Sequence, residues 1–420
     1  MAPRMKHLPQ LLVLSFLLGI CNISFALNVE DHEDTLVIDE SLSLRDVIEA
    51  TYQHYPQQAI VKAYEDEVQA LEQRSTSWVA GYPMIYLQYI DDALISNKGI
   101  SDIQSGYQIP IWMWGQKEAS QKVTDQSSLA AERYAVALKH EIAGLVRNAL
   151  WNIRITENRR ELAQKILAVA DELLRVVRRR VELGDMSKSD MLLAESDALE
   201  KKSLLMQAEA EVIHANKAYH SLTRTRLMPG RFEEQMARDL SLSDSHPALA
   251  AATASVERAQ AEVDFVRLSK QGNQPTVLIG TDSTSVGRSR EYGTGTNLVF
   301  QIPIGGDDWH APQVAQANVL LNEKLAQREA LHRQLEKAAH EAEHILDLDQ
   351  KALVVASRRK EIAEEQLRMS KIALENGEIS MIDYLKIQTT AQTALRDAAE
   401  RKILVLKDIS TLHQAVGISP

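Results

Sequence analysis

The chain has 420 residues and a formal net charge of −11, from 47 Lys and Arg against 58 Asp and Glu. With no basic block outside Arg178-Arg179-Arg180, that balance excludes a nucleic-acid-binding face. Only 17 Gly and 11 Pro punctuate the chain and aromatics make up 5% of it, which excludes two ordinary compact cores and points to long helical elements.

Arg4, Lys6 and His7 precede an apolar run over 11–20 and then Ser24-Phe25-Ala26, the pattern of a signal peptide over 1–26 cleaved after Ala26. The run is too short to span a bilayer as a helix. Cys21 is the single cysteine; its lipidation would need a small residue before it, where Ile20 stands. Cleavage removes it and leaves no disulfide framework or thiol metal site. No apolar run long enough for a membrane helix follows, so any crossing of a membrane falls to strands.

Residues 41–74 read as helical, with 244–270 as their counterpart in a second copy, since Tyr55-Pro56 and His246-Pro247 occupy matching places. Two short strands follow in each copy, at 83–90 and 106–111, then at 275–281 and 297–304. Between them lie the turn formers Asp91, Asp92, Asn97, Lys98 and Gly99 in one copy and Gly287, Arg288, Ser289, Gly293 and Gly295 in the other. Alternation sets Tyr107, Ile109 and Ile111 against Gln108, and Phe300, Ile302 and Ile304 against Asn297 and Gln301. An apolar outer face over a polar inner one is what a lipid-facing barrel strand requires. A soluble sheet with one buried face alternates in the same way. Trp112 and Trp114, just past the strand, suit a membrane interface or an ordinary core.

The stretches 115–183 and 312–376 have no internal proline. Ala131, Ala135, Leu138, Ile142, Leu145 and Ala149 are spaced alternately four and three apart, as are Leu331, Leu335, Ala338, Ala342 and Ile345 in the second copy. That spacing predicts a heptad seam, on rods of roughly 100 Å. Gly184 and Gly377 then suit the left-handed end of a helix. Ser187 and Ser380 cap the returning helices, with Asp190 and Asp383 at the third position of a capping box. Capping alone explains these residues; as the points furthest from the strands, they are also the surface a partner meets. Arg175, Arg178, Arg179 and Arg180 precede the first tip, where cations complement a helix dipole. They could equally pair with acids of a neighbouring chain.

Glu182, Gly184, Ser187, Asp190 and Leu192 recur 193 residues later as Glu375, Gly377, Ser380, Asp383 and Leu385, and Gln108-Ile109-Pro110-Ile111 recurs as Gln301-Ile302-Pro303-Ile304. Such a long period means two copies of one supersecondary unit, over 27–230 and 231–420. The duplicated module, the strand pair before each long helix, the Ile-Pro-Ile strand end and the Gly-x-x-Ser-x-x-Asp turn together resemble the TolC-like outer membrane efflux proteins, over residues 42–417. The resemblance implies a mainly α fold with a small β part. It implies a homotrimer in which four strands per chain close a twelve-stranded outer membrane β-barrel above a periplasmic α-helical tunnel. Implied partners are outer membrane lipid, a periplasmic membrane fusion (adaptor) protein and an inner membrane transporter of the RND or ABC type. The tips at Gly184, Ser187, Asp190, Gly377, Ser380 and Asp383 would dock the adaptor. Asp383 matches an acidic gate position of the family, while Lys386 stands where a second acid is expected; Arg178 and Arg179 are the candidate closing cations. The expected function is the outer membrane exit channel of a tripartite efflux pump. The channel of a type I protein secretion system is the same-fold alternative. A periplasmic coiled-coil adaptor without a barrel is the alternative from another class, although adaptors carry one hairpin and here two modules lie in tandem.

His340-Glu341-Ala342-Glu343-His344 matches the zinc-protease pattern HExxH, with Glu364 as a third candidate ligand. The motif sits mid-rod among seam residues, no cleft-forming domain follows, and the first copy has Asn148-Ala149-Leu150-Trp151 there. These residues therefore read as a solvated helix face. With no phosphate loop, nucleophile elbow or catalytic dyad, the chain reads as a non-enzyme without a cofactor.

Overall fold

The computed structural model describes residues 35–269, 274–287 and 291–420. The expected signal peptide with Cys21, and Arg288 and Ser289 of the second strand loop, lie outside those residues. The described residues all belong to one compact unit.

Strand β1 (Val37–Asp39) leads into helix α1 (Leu44–His54). The helix starts where Ser43 Oγ accepts from the Asp46 N–H at 3.2 Å and Asp46 Oδ2 accepts from the Ser43 N–H at 3.0 Å. Pro56 then breaks the single helix expected over 41–74. Tyr55 leaves the helical region at φ −75°, ψ 133°, as the residue before a proline is driven to do, and α2 (Gln58–Thr76) restarts beyond it. At the matching His246-Pro247 the proline occupies the first position of α5 (Pro247–Ser269), where a missing N–H costs nothing. Thus α1 has no helical counterpart: after β4 (Leu227–Pro229), which pairs in parallel with β1, the chain runs irregularly to α5.

Strands β2 (Met84–Asp91), β3 (Ser101–Pro110), β5 (Thr276–Ser285) and β6 (Tyr292–Gln301) form one antiparallel sheet in the order β2-β3-β5-β6. The central β3–β5 pairing, with Tyr107 opposite Ile279, joins the two copies in one sheet. The strands are eight to ten residues long, close to the length that crosses a bilayer when tilted. They extend further toward their hairpins than the pattern predicts and stop earlier at the helix side. Pro110 and Pro303 carry no N–H for the ladder, so Ile111, Ile302 and Ile304 lie past the strand ends rather than within them.

The rods are α3 (Gln116–Glu182) and α6 (Asp307–Glu375), of 67 and 69 residues, or about 100 Å each. Helices α4 (Lys188–Thr223) and α7 (Met381–Val416) return from their tips. Of the expected seam, Ala131, Leu138, Ile142 and Ala342 are buried, but Leu145, Ala338 and Ile345 are exposed. Val146, Leu150 and Leu346 are buried instead. A helix of 3.6 residues per turn drifts from a strict 3.5-residue repeat, so a four-three pattern loses its face over several turns.

The largest core lies where α1, α3 and α4 meet, around Val47, Ile142, Val146, Leu150 and Tyr219. Trp151 is buried beside it, donates Nε1–H to Ser410 Oγ at 3.1 Å and stands edge-on to Phe232. Arg147, 3% exposed, donates to both oxygens of Glu234 at 3.1 and 2.6 Å. It also donates to Gln414 Oε1 at 2.6 Å and to the Ile418 carbonyl at 3.1 Å. One side chain therefore ties α3 to the link between the copies and to the end of α7. Breaking such a buried pair from one side costs about 3–5 kcal/mol.

Two buried groups titrate in opposite senses. Burial pushes His140 down to about 4 against the upward pull of the Gln414 carbonyl. Burial, and Asp349 beside it, push Asp408 up to about 6. Neutral His140 stabilises the fold fully above its ordinary value of 6.5, and that contribution is lost as pH falls toward 4. Asp408 behaves in reverse: the fold favours its protonated form, and stability is lost as pH rises through about 6. The two effects offset each other across the same acidic window. Asp408→Asn is expected to raise the unfolding temperature at neutral pH and to steepen the loss of stability on acidification. Thermal melts between about pH 7.5 and about pH 4.5 check this, and parallel curves for the variant and the native chain would contradict it.

Candidate functional site

The ladder registers sort the sheet into two faces. Ile85, Leu87, Tyr89, Ile103, Tyr107, Ile109, Val277, Ile279, Leu298 and Phe300 lie on one face. Gln88, Asp102, Gln104, Gln108, Asp282, Asn297 and Gln301 lie on the other. Phe300 and Ile109 thus share a face, as the alternation predicts, and Ile111, Ile302 and Ile304 are exposed just beyond it. The polar face is cross-linked: Gln108 Nε2 donates to Thr276 Oγ1 at 3.3 Å, and Thr276 Oγ1 donates to Gln301 Oε1 at 3.1 Å. Toward the hairpins the apolar face gives way to hydroxyl pairs, Ser105 with Thr281 at 3.2 Å and Ser283 with Thr294 at 3.0 Å. These satisfy one another without solvent. Exposed Trp78, Tyr82, Trp114 and Trp309 cluster in sequence around the strand–helix junctions, and Trp112 is anchored by its Nε1–H on the Ser77 carbonyl at 3.0 Å. Four of the five tryptophans of the chain thus stand at that level, the arrangement of an interfacial belt.

At the opposite end the two tips form one cluster. Val177, Ala194, Leu374, Met381 and Tyr384 are buried together. Gly184 and Gly377 take φ of 86° and 75°, and the turns close with Asp185 N–H on the Arg180 carbonyl and Glu378 N–H on the Ala373 carbonyl, both at 2.8 Å. The Ser187–Asp190 box is complete, with Asp190 Oδ2 accepting from the Ser187 N–H at 3.2 Å and Ser187 Oγ accepting from the Asp190 N–H at 3.1 Å. In the second copy only the cap itself forms, Ser380 Oγ accepting from the Asp383 N–H at 3.1 Å.

The arginines separate into different roles. Arg180 donates to the Glu375 carbonyl at 3.0 Å, so it caps the end of α6 and joins the two tips. Arg179 pairs with Glu182 at 3.2 Å on its own helix, Arg175 pairs with Glu172, and Arg178 is exposed. The ion-pair partner of Asp383 is Lys386, at 3.8 Å. Within one chain the structure therefore does not bring Arg178 or Arg179 to Asp383. Beside the tips, Val169, Val176, Leu367, Leu374 and Tyr384 line a groove of about 750 Å³.

Of the four long helices, α3 packs between α4 and α7, and α6 packs on α7, so α4 and α6 are the outer two. Each outer helix carries an exposed apolar ladder at seven-residue spacing: Leu192, Leu199, Met206 and Ile213 on α4, and Leu348, Val355, Ile362 and Met369 on α6. Counted from the tip glycines Gly184 and Gly377, both ladders stand at 8, 15, 22 and 29 residues. The edges of the chain therefore present ladders of the same spacing, at the same count of residues from the tip glycines.

Among solved structures, the outer membrane protein VceC from Vibrio cholerae is similar with a TM-score of 0.71 and 16% identity, over 90% of this chain and 96% of that one. The outer membrane channel OprN gives 0.69 at 14% identity, over 93% and 96%. The open state of the Neisseria gonorrhoeae MtrE outer membrane channel gives 0.67 at 15%, over 89% of each. This chain has the fold of an outer membrane channel. No family model and no curated protein matches the sequence.

In this TolC-like channel fold the HExxH residues fall on the exposed side of α6. His340 and His344 are exposed, Glu341 pairs with Lys337 at 3.6 Å, and Glu364 lies on the same unbroken helix, about 30 Å further along. It cannot be their third ligand. Sequence reasoning missed the matched edge ladders, whose signal was the plain seven-residue spacing of Leu192, Leu199, Met206 and Ile213. It also missed Arg180 as the residue joining the tips. Ser187→Ala, which removes a complete box, should cost about 1–2 kcal/mol, and Ser380→Ala less. Amide exchange at Asp190 and Asp383 reads the difference. Equal acceleration in the two variants would show that the reciprocal bond adds nothing.

Proposed function

We propose that this chain is the exit channel of a tripartite efflux pump, a homotrimer in the outer membrane with its helices extending into the periplasm. The matched ladders of α4 and α6 are the observation that carries this reading. Antiparallel helices with ladders of the same spacing pair as a heptad seam, and the two edges face outward on opposite sides of one chain, so each copy offers α4 to one neighbour and α6 to the other. The sheet demands the same assembly. Four strands cannot close a barrel, which needs about eight, and open edges are not tolerated in lipid. Three copies give twelve strands, with the apolar face toward lipid and the glutamine-lined face inward. A barrel-free adaptor would leave this sheet without a use.

The tips are the parts furthest from the sheet, and Gly184, Ser187, Asp190, Gly377, Ser380 and Asp383 hold their shape. They would dock a periplasmic adaptor, its helical hairpin lying along the groove beside Val169, Val176 and Leu367, with an RND or ABC transporter of the inner membrane behind it. Three copies of Asp383 would ring the aperture, with Arg178 and Arg179 as cations for neighbouring acids. Exposed pairs of this kind contribute only about 0–1 kcal/mol each, so adaptor binding can open such a gate without a large input of energy.

Ile279→Arg, in the middle of the apolar face, should cost roughly 2–4 kcal/mol at the bilayer midplane and remove heat-resistant trimer from outer membrane fractions. Gln104→Arg, on the opposite face, should assemble. Normal assembly of both would contradict the lipid-facing assignment. In planar bilayers, Asp383→Ala should lower cation selectivity, and Arg178→Ala with Arg179→Ala should increase open time. No change in either would reduce these residues to helix caps and surface charge.

A further inference from the structure

Two exposed imidazoles on α6 have no part in the channel reading. Of the chain's 12 histidines, only His340 and His344 are set three or four residues apart, the spacings that put side chains on one face of a helix. Both lie within the unbroken helix Asp307–Glu375, which fixes their relative placement without help from a loop or another element. Ala342 and Leu346, two residues after each, are buried in one cluster with Leu412 and Val416 of α7. A step of two residues turns a helix by about 200°, so both imidazoles point away from α7, and both are exposed. Neither makes a hydrogen bond or ion pair with another described residue. The matching places of the first copy hold Arg147 and Trp151, which are 3% and 1% exposed. The same two positions are core in one module and open surface in the other, so the packing of the module does not call for histidine at either.

Imidazoles four residues apart can each turn a nitrogen toward a common point, as histidine pairs at this spacing do when they hold zinc. Two nitrogens on one tetrahedral zinc stand about 3.4 Å apart. The Cβ atoms of such a pair are about 5–6 Å apart, so rotation about side-chain bonds alone closes the chelate. The surrounding charge favours a cation: between residues 336 and 347 the acids Glu336, Glu341, Glu343 and Asp347 stand against the single base Lys337. Lys337 pairs with Glu341 at 3.6 Å and Lys351 with Asp347 at 2.6 Å, whereas Glu336 and Glu343 have no cation of their own among the described residues. Imidazole nitrogen suits copper(II), nickel and zinc, while magnesium and calcium take oxygen ligands. Among the described residues no third His, Cys, Asp or Glu completes a three-ligand group, so water fills the remaining positions.

We propose that His340 and His344 together bind one divalent transition-metal cation of the copper, nickel or zinc class, through one nitrogen of each ring, with water completing its coordination. The site is built on one helix of one chain, so its failure would leave the channel assignment standing. The full chain, purified in detergent without a histidine tag and stripped of metal with a chelator, is titrated calorimetrically with zinc chloride and, separately, with magnesium chloride. Zinc should bind saturably at one ion per chain, and magnesium should not bind. His340→Ala and His344→Ala should each weaken zinc binding by about tenfold or more, because the second nitrogen binds as an intramolecular step. His332→Ala, on the same helix but outside the pair, should leave it unchanged. His344→Ala combined with Ile345→His keeps the number of imidazoles but sets the two about 140° apart round the helix, and should not restore the affinity. With one equivalent of copper(II), the native chain should show electron paramagnetic coupling to two nitrogens. No saturable zinc binding, comparable binding of magnesium, full affinity in either single variant, an equal loss in His332→Ala, affinity restored by the displaced histidine, or coupling to fewer than two nitrogens would each overturn the proposal.

Discussion

An unpaired backbone edge is the constraint on which this structure turns. The sheet β2-β3-β5-β6 ends in two bare strands, and its outward face is apolar. In water the apolar face would be a liability, and in lipid the bare edges would be. Only a ring of sheets removes both problems, and the rest of the chain is arranged to make one. The outer helices repeat the arrangement of the sheet: α4 and α6 each expose a ladder that none of the described residues of their own chain covers.

A chain of long rods has little core of its own, and this one compensates by concentrating burial in a few places. Near the middle, Arg147 and its four hydrogen bonds join α3, the irregular link between the copies and the end of α7. At the tips, a small apolar cluster and Arg180 join the two hairpins. Between these points the helices are in contact through alanines such as Ala363, Ala391 and Ala394, small residues that allow close approach at modest energetic gain per residue.

The repeat, the strand alternation and the tip chemistry were legible in the sequence because each depends on local rules. Glycine after a helix, serine before one and a carboxylate three residues on have the same meaning wherever they occur. What was not legible depended on tertiary context. Pro56 and Pro247 look alike in sequence, yet one interrupts a helix and the other begins one, because only His246 is placed to cap α5. The strand ends were misjudged at Ile302 and Ile304, since their alternation continues past Pro303 although the ladder cannot. Arg178, Arg179 and Arg180 are indistinguishable as letters, and only the closeness of the ends of α3 and α6 gives Arg180 its carbonyl partner.

The proposed ring of copies requires that α4 of one copy meet α6 of the next, ladder to ladder. Leu199 and Ile362 each stand 15 residues from their tip glycine, and in one chain α3 and α7 lie between their helices. A disulfide needs its Cα atoms within about 7 Å. A chain carrying Leu199→Cys and Ile362→Cys, oxidised in membranes and run without reductant, should therefore give covalent dimers and trimers, whereas the single variants remain monomeric on the gel. Monomer alone from the double variant, with both thiols accessible to a small alkylating reagent, would contradict it.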